Sequence, residues 1–383
     1  MIEKEVAELR RRIKREHCNI SHVFGCYVSE QREIVSTFDQ SLTMLPEDEQ
    51  DKYYALLRKV LTGTLGKNLV DISFSTKQVL DSEEHRLLST LRSSALKDAD
   101  ALGQLYDKII ASLSLGTNYV ILLAEDVYDV PYRSKDGAFQ DDAGDTQHTY
   151  LLCAVCPVKL SKPGLRYEAA QREFHNRTID QVVSAPELGF TFPAFDDRRT
   201  NLYGALYYCR DASADYAEWI DAIFHTPAPM PAGEQKQTFG QILTESLAEE
   251  CNYSVVQSVH EQLSDMITAH KEAKVDEPLT ISRPQVDQLL QDCGVTQEHM
   301  AAFHVKFDEA FGHDAAVSPR NLIEPKRFEL RTPDVVIRVN PERQDLIETR
   351  TIGGVPYILI KADEGVSLNG VDLSQHAAEL AKA

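Results

Sequence analysis

Four aspartates stand at the ends of apolar, strand-like runs. Asp126 and Asp129 close the run that starts at Tyr119, and Asp196 with Asp197 close the aromatic run Gly189–Phe195. Paired carboxylates at a strand end can bind magnesium or divide the work of general acid and base. His175 is the histidine nearest the second pair in sequence and is of the type that shuttles protons near neutrality. Asp126, Asp129, Asp196, Asp197 and His175 are therefore the candidates for catalysis. The same acids also suit structural ion pairs with Arg133, Arg177 or Arg198, the commoner use of such groups.

Gly189–Thr200 concentrates both possibilities. Phe190 and Phe192 alternate onto one face of a strand, and Pro193 re-aims the chain before Phe195. Four charges of both signs follow, Asp196, Asp197, Arg198 and Arg199. Phe195, Asp196, Asp197, Arg198 and Arg199 form a mixed-charge lip at the end of a core strand, the expected binding surface. Arg198 is suited to clamp an anion or to orient a carboxylate.

Other patterns argue against themselves. Gly63-Thr-Leu-Gly-Lys-Asn68 has two residues between its glycines where a phosphate loop has four, and Asn68 stands where that loop needs Ser or Thr. It also follows a helix rather than a strand. His17, Cys18, His22 and Cys26 crowd into ten residues but straddle a helix end and a strand, so convergence on a metal is not expected. Cys153 and Cys156 lie three apart in a strand and must face opposite ways. No cofactor and no bound metal are expected. Gln285–Phe311 has the spacing of a helix-turn-helix. Its second helix offers acids and histidines, with Lys306 as its basic residue, so DNA phosphates would be repelled.

The bulk composition fits this picture. The 383 residues carry a net charge of −20, which disfavours nucleic acid and anionic membrane as partners. Seven dispersed cysteines, mostly in apolar company, read as buried free thiols of a reducing compartment. No apolar run approaches the ~20 residues that span a bilayer, and the charged N-terminal stretch has no signal-peptide core. A cytoplasmic setting is expected.

The elements that must position these residues follow from periodicity. Ile2, Val6, Leu9 and Ile13 form one helical seam, and Pro46 opens a second helix that runs to about Leu61. Two more helices are predicted at about 82–93 and 98–113. Val23–Val28, Glu33–Phe38, Leu69–Phe74, Tyr119–Val127, Tyr150–Val158 and Asn201–Cys209 alternate as strands, and the polar stretch 132–149 reads as a surface loop. Short connections favour antiparallel pairing, hence an α+β fold: an antiparallel mixed sheet with packed helices, a helical insert and a small C-terminal β module. The expected divisions are a body over 1–225, a proline-rich linker over 226–233, a helical segment over 234–323 and the β module over 324–383. From Glu324 to Lys361 basic residues slightly outnumber acids, so the module is the least acidic part of the chain.

Several of these segments together resemble a known family. They are Cys18-Asn-Ile, Gly25-Cys-Tyr-Val, Gly63-Thr-Leu-Gly-Lys-Asn-Leu, Asp126-Val-Tyr-Asp-Val-Pro, Cys156-Pro-Val-Lys-Leu-Ser-Lys-Pro-Gly, Gly189-Phe-Thr-Phe-Pro-Ala-Phe-Asp-Asp-Arg and Asn340-Pro-Glu-Arg. The set is similar to the bacterial domain of unknown function numbered 4317, found mainly in Gram-positive anaerobes, over almost the whole chain. The resemblance implies a bacterial cytoplasmic protein and brings no activity or catalytic residue with it. The reading that follows is a non-enzymatic regulatory or interaction protein that binds another protein or macromolecule through the lip and the β module. A metal-assisted, hydrolase-like enzyme built on the four aspartates is the alternative.

Overall fold

The computed structural model describes residues 1–133, 139–140, 146–168, 170–177, 179–273, 275, 277–313, 315–324, 328–340, 343, 346–362, 366–368 and 371–373. Asp136, Asp141, Asp142 and Asp145 of the stretch expected as a surface loop, and Lys326, Arg327, Pro341, Asn369 and Gly370 of the expected β module, lie outside the described residues. So do the side chains of Arg133 and Arg177. The chain forms two compact units, one of Met1–Gln235 with Lys274–Pro278, the other of Lys236–Ala273 with the chain from Leu279 onward.

The first unit is built on an antiparallel sheet, eight-stranded among the described residues. Helix α1 (Glu3–Arg12) precedes the hairpin β1 (His22–Val28) and β2 (Ile34–Ser41), and α2 (Glu47–Lys59) leads to β3 (Leu69–Ser73). Three helices follow, α3 (Thr76–Asp81), α4 (Glu83–Ser93) and α5 (Ala99–Ser112), then the long strand β4 (Tyr119–Asp129). A two-residue ladder joins β5 (Tyr132–Arg133) to β6 (Phe139–Gln140) before the second long strand, β7 (Gln147–Leu160). Then come the hairpin β8 (Gly164–Glu168) and β9 (Glu173–Arg177), β10 (Gln181–Val183), β11 (Leu188–Phe192), the hairpin β12 (Ala194–Asp196) and β13 (Arg199–Asn201), β14 (Gly204–Cys209) and α6 (Ala217–Phe224). The sheet order is β2-β1-β4-β7-β11-β14-β3, with β10 paired to the far end of β7.

Strand alternation divides the core into two layers. On β4 and β7, Ile121, Leu123, Leu151, Cys153 and Val155 face one way, and pack with Leu88, Leu105, Ile109 and Trp219 of α4, α5 and α6. Val120, Leu122, Tyr150, Leu152 and Cys156 face the other way, against Val6 and Leu9 of α1 and Leu57 of α2. Covering both faces explains why these strands are apolar at nearly every position although their pairing is antiparallel. Each large apolar side chain taken out of water adds about 1.5–3 kcal/mol. Cys153 and Cys156 fall in different layers, as residues three apart on a strand must. Gly189 lets α2 approach: a Cβ there would stand 2.4 Å from the Cys153 carbonyl oxygen and 2.8 Å from a Val60 methyl.

The second unit has its own core. Helix α7 (Ala232–Leu247) enters it, and α8 (Tyr253–Ala273), α9 (Arg283–Asp292), α10 (Gln297–Phe311) and α11 (Pro319–Leu322) follow, with β15 (Ile281–Ser282) laddered to β16 (Ala316–Val317). Phe239, Leu247, Leu263, Leu290, Phe303 and Phe307 are buried together. Three hairpins follow among the described residues: β17 (Phe328–Arg331) with β18 (Val336–Val339), β19 (Ile347–Ile352) with β20 (Val355–Ile360), and β21 (Val366–Leu368) with β22 (Val371–Leu373). The protein is thus α+β, an antiparallel sheet with packed helices, a helical segment and small C-terminal hairpins. On α10, Lys306 is paired with Glu245, His304 with Asp287 and His299 with Glu250.

Candidate functional site

Register brings four polar and aromatic residues together. Asp126 sits directly across from Tyr150, and Tyr128 across from His148, all on the α1 side of the β4–β7 ladder. Asp126 is fully buried. One carboxylate oxygen accepts from the Asn19 backbone N–H at 2.8 Å; the other accepts from the Tyr150 hydroxyl at 2.8 Å and from Arg12 at 3.4 Å. The Arg12 guanidinium lies over the Tyr128 ring, 4.0 Å from its centre. Tyr128 donates its hydroxyl proton to Glu8, and Glu8 also receives Arg198 Nη1 at 2.6 Å. Arg198 Nη2 donates to the Pro131 carbonyl at 3.0 Å, and its backbone N–H to Glu5 at 3.3 Å. Burial, with the Glu8 hydrogen bond adding to it, pushes the Tyr128 phenol up to about 12, so it stays a donor. His148 stacks on Tyr150 and leans on Phe195, ring centres 4.9 Å apart in each case.

This arrangement is a clamp. It ties α1 and the segment after it to the end of the sheet, and its charged groups face one another. The catalytic candidates are therefore not assembled as the strand-end reading expected. Asp126 faces inward with both oxygens taken. Asp129, three residues on, is of opposite strand parity, is exposed, and accepts from Gln147 at 3.0 Å. His175 lies in the exposed β8–β9 hairpin, 3.9 Å from Glu173. Asp196 and Asp197 are exposed on a turn. Among the described residues no three His, Cys, Asp or Glu side chains are grouped to hold a metal. Cys26 faces the α4–α5 layer while Cys18 packs on the α1–α2 layer, and His22 pairs with Asp39 at 2.8 Å.

The binding candidates also land differently from one another. Phe195 is buried among Tyr128, His148 and Tyr150, on the opposite side of the sheet from Phe190 and Phe192. The strand does not continue through the charges. Asp197 and Arg198 take left-handed φ values of 47° and 54°, and Asp196 pairs back to Arg199 across a two-residue hairpin. Such a turn favours Asn-Gly, so the Glu5 and Glu8 contacts of Arg198 stabilise a backbone that its own residues disfavour. Asp196, Asp197 and Arg199 are exposed; Arg198 is not free. Asp196→Ala is expected to change the unfolding free energy by less than about 1 kcal/mol. Arg198→Ala is expected to cost about 1–3 kcal/mol, because it strips Glu8 of its cation. Urea titration of the two variants checks this, and equal losses would contradict the clamp.

An open site lies elsewhere on the same side of the sheet. A groove of about 940 Å³ runs between α2 and β10, at the upper end of the ~300–1,000 Å³ of ligand pockets. Val120, Leu122, Val158, Tyr27 and Phe38 form its floor. Tyr53, Ala55 and Leu56 of α2 make one wall, flanked by Lys52 and Lys59, and Val182, Val183 and Pro186 make the other. The tip of the Phe38 ring stands over Gly25, its Cζ 1.9 Å from where a Cβ would be, so that glycine makes room for the ring in the floor. Tyr27 closes one end by donating to Gln181 at 2.6 Å and accepting from Asn118 at 2.8 Å. Sequence reasoning missed this groove because its lining comes from four separate parts of the chain. A smaller cavity of about 540 Å³ adjoins Asn19, His22, Asp39, Lys97 and Glu125, and His22 and Asp39 there already pair with each other.

Fold and site define an α+β protein with a polar clamp whose charged groups pair with one another and an open apolar groove. The chain belongs to the family described as Domain of unknown function (DUF4317), whose model matches residues 1–371. No curated protein matches the chain. Among the described residues no helix is long and apolar enough to cross a membrane.

Proposed function

We propose that this protein works in the bacterial cytoplasm as a non-enzymatic binding protein, and that it docks a segment of a partner protein in the groove between α2 and β10. The observation that carries the reading is the groove itself: a concave apolar surface left open beside a polar cluster whose charged groups pair with one another. Val182 and Val183 are 47% and 42% exposed there, so the groove wall presents apolar surface to solvent. Dispersed, mostly buried thiols and the charge of −20 support the compartment.

The test uses the whole chain and the apolar fluorophore 1-anilinonaphthalene-8-sulfonate. Ala55 is an exposed position of α2 that lines the groove, so Ala55→Trp fills the hollow without entering the core. The expected result is saturable fluorescence enhancement with wild type and loss of most of it in Ala55→Trp, at an unchanged melting temperature. Enhancement that is absent, or equal in both proteins, would overturn the reading.

A further inference from the structure

Lys52 and Lys59 are seven residues apart on α2, so both point to the same side of the helix, about 10.5 Å apart along its axis. Both line the groove, and Tyr53, Ala55 and Leu56 lie between them. Neither has a carboxylate within ion-pair distance among the described residues, in a chain with 60 acidic residues against 40 basic ones. Other cations on this side of the sheet are engaged, Arg15 with Glu47, Arg12 with Asp126 and Arg198 with Glu8, while Arg58 of α2 and Lys159, across from Val182, share the unpaired state of the two groove lysines among the described residues and add to the positive rim. Asp48, Glu49 and Asp51 share the helix with the two lysines, and none of them is within ion-pair distance of either; Glu49 instead raises the Tyr53 phenol, after burial.

From this pattern we infer that the occupant of the groove is an acidic amphipathic helix, a conclusion that rests on the groove being the docking site. Its apolar stripe lies against Tyr53, Leu56 and Val182, and two carboxylates seven residues apart meet Lys52 and Lys59. Size agrees. Two turns of a helix ~10 Å across and ~11 Å long fill about 850 Å³, close to the 940 Å³ available. Charge spacing selects among apolar occupants. A single acyl chain carries one anionic end and would use one lysine, whereas a helix repeats its face every seven residues and uses both. A basic or neutral helix would leave two cations partly covered and unpaired, which is the repulsive half of specificity.

The experiment uses two fluorescein-labelled 15-residue peptides with the same leucine stripe. One has Glu at two positions seven apart, the other Lys. Anisotropy titration against wild type is expected to show the Glu peptide binding about tenfold tighter, the scale of two exposed charge pairs gained against two repulsions. The preference should shrink as salt rises, since the screening length is ~8 Å at physiological ionic strength. Lys52→Glu with Lys59→Glu should reverse the order, and Ala55→Trp should remove both peptides. Equal binding of the two peptides, or an unchanged order in the double variant, would overturn the inference. If Ala55→Trp still blocks the fluorophore in that case, the groove remains the docking site and only the acidic helix is wrong. Co-sedimentation with phosphatidylglycerol vesicles is a further arm. Vesicle binding that Ala55→Trp abolishes, without a preference for the Glu peptide, would overturn the inference in favour of a lipid surface.

Discussion

Asp126→Ala is expected to lower the unfolding free energy by about 3–5 kcal/mol, the cost of removing one partner of a buried, hydrogen-bonded ion pair. The carboxylate is fully buried and receives three donors: the Asn19 N–H, the Tyr150 hydroxyl and the Arg12 guanidinium. Alanine leaves all three facing a small void. Tyr150 is itself completely buried, so its hydroxyl has no water to turn to. Tyr150→Phe removes one donor and spares the rest, and is expected to cost about 0.5–1.5 kcal/mol. The double variant should cost less than the sum, because the two groups touch. Urea unfolding of the four proteins supplies the cycle. An Asp126→Ala loss under about 1 kcal/mol would mean that Asp126 is not a clamp residue, and its role as a ligand-facing acid would reopen.

Local pattern carried much of the fold. β4 and β7 are the longest apolar alternations in the chain and became the centre of the sheet. Of the seam Ile2, Val6, Leu9 and Ile13, the last three are buried as the period requires, and Ile2, which caps the start of α1, is half-buried. Phe190 and Phe192 share a layer because one residue separates them on a strand. The clamp was only half legible. Cross-strand neighbours Asp126–Tyr150 and Tyr128–His148 could be found once β4 and β7 are paired in register, but nothing local sets that register. Glu8 and Arg12 look like the solvent face of α1; they are partners only because the sheet end rises to meet them. The lip was misread for a different reason. Asp197-Arg198 carries no glycine or asparagine, so the left-handed two-residue turn that follows the strand end, and the inward turn of Arg198 that comes with it, were invisible. The groove depends on residues 27–38, 52–59, 120–122 and 158–186 meeting in space, which no single window of sequence contains.

The same clamp makes stability pH-dependent through His148. Burial chiefly, then the nearby Arg92 and Arg12 cations, pull its imidazole down to about 3. Its Nδ1 meets the Thr200 hydroxyl at 2.9 Å, while Nε2 has no partner among the described residues, so a second proton there would be buried and uncompensated. In the unfolded chain the ring titrates near ~6.5. The unfolded state therefore binds the extra proton first as pH falls. The stability associated with the neutral ring is complete above about 6.5 and is lost progressively as pH drops from there toward about 3. At pH 4 the loss from this one group is about 3 kcal/mol, at ~1.36 kcal/mol per pH unit. His148→Phe keeps a flat ring between Tyr150 and Phe195 and removes the titration. Both proteins share every carboxylate, so their common acid sensitivity cancels in the difference. Urea unfolding at pH 7 and pH 4 is expected to show wild type losing about 3 kcal/mol more than His148→Phe between the two pH values. The missing Thr200 contact in the variant adds an offset at both pH values and leaves that difference untouched. Equal losses in the two proteins would show that His148 is protonated in the folded state at pH 4 with a compensating partner, and that the clamp is open to solvent at its His148 end.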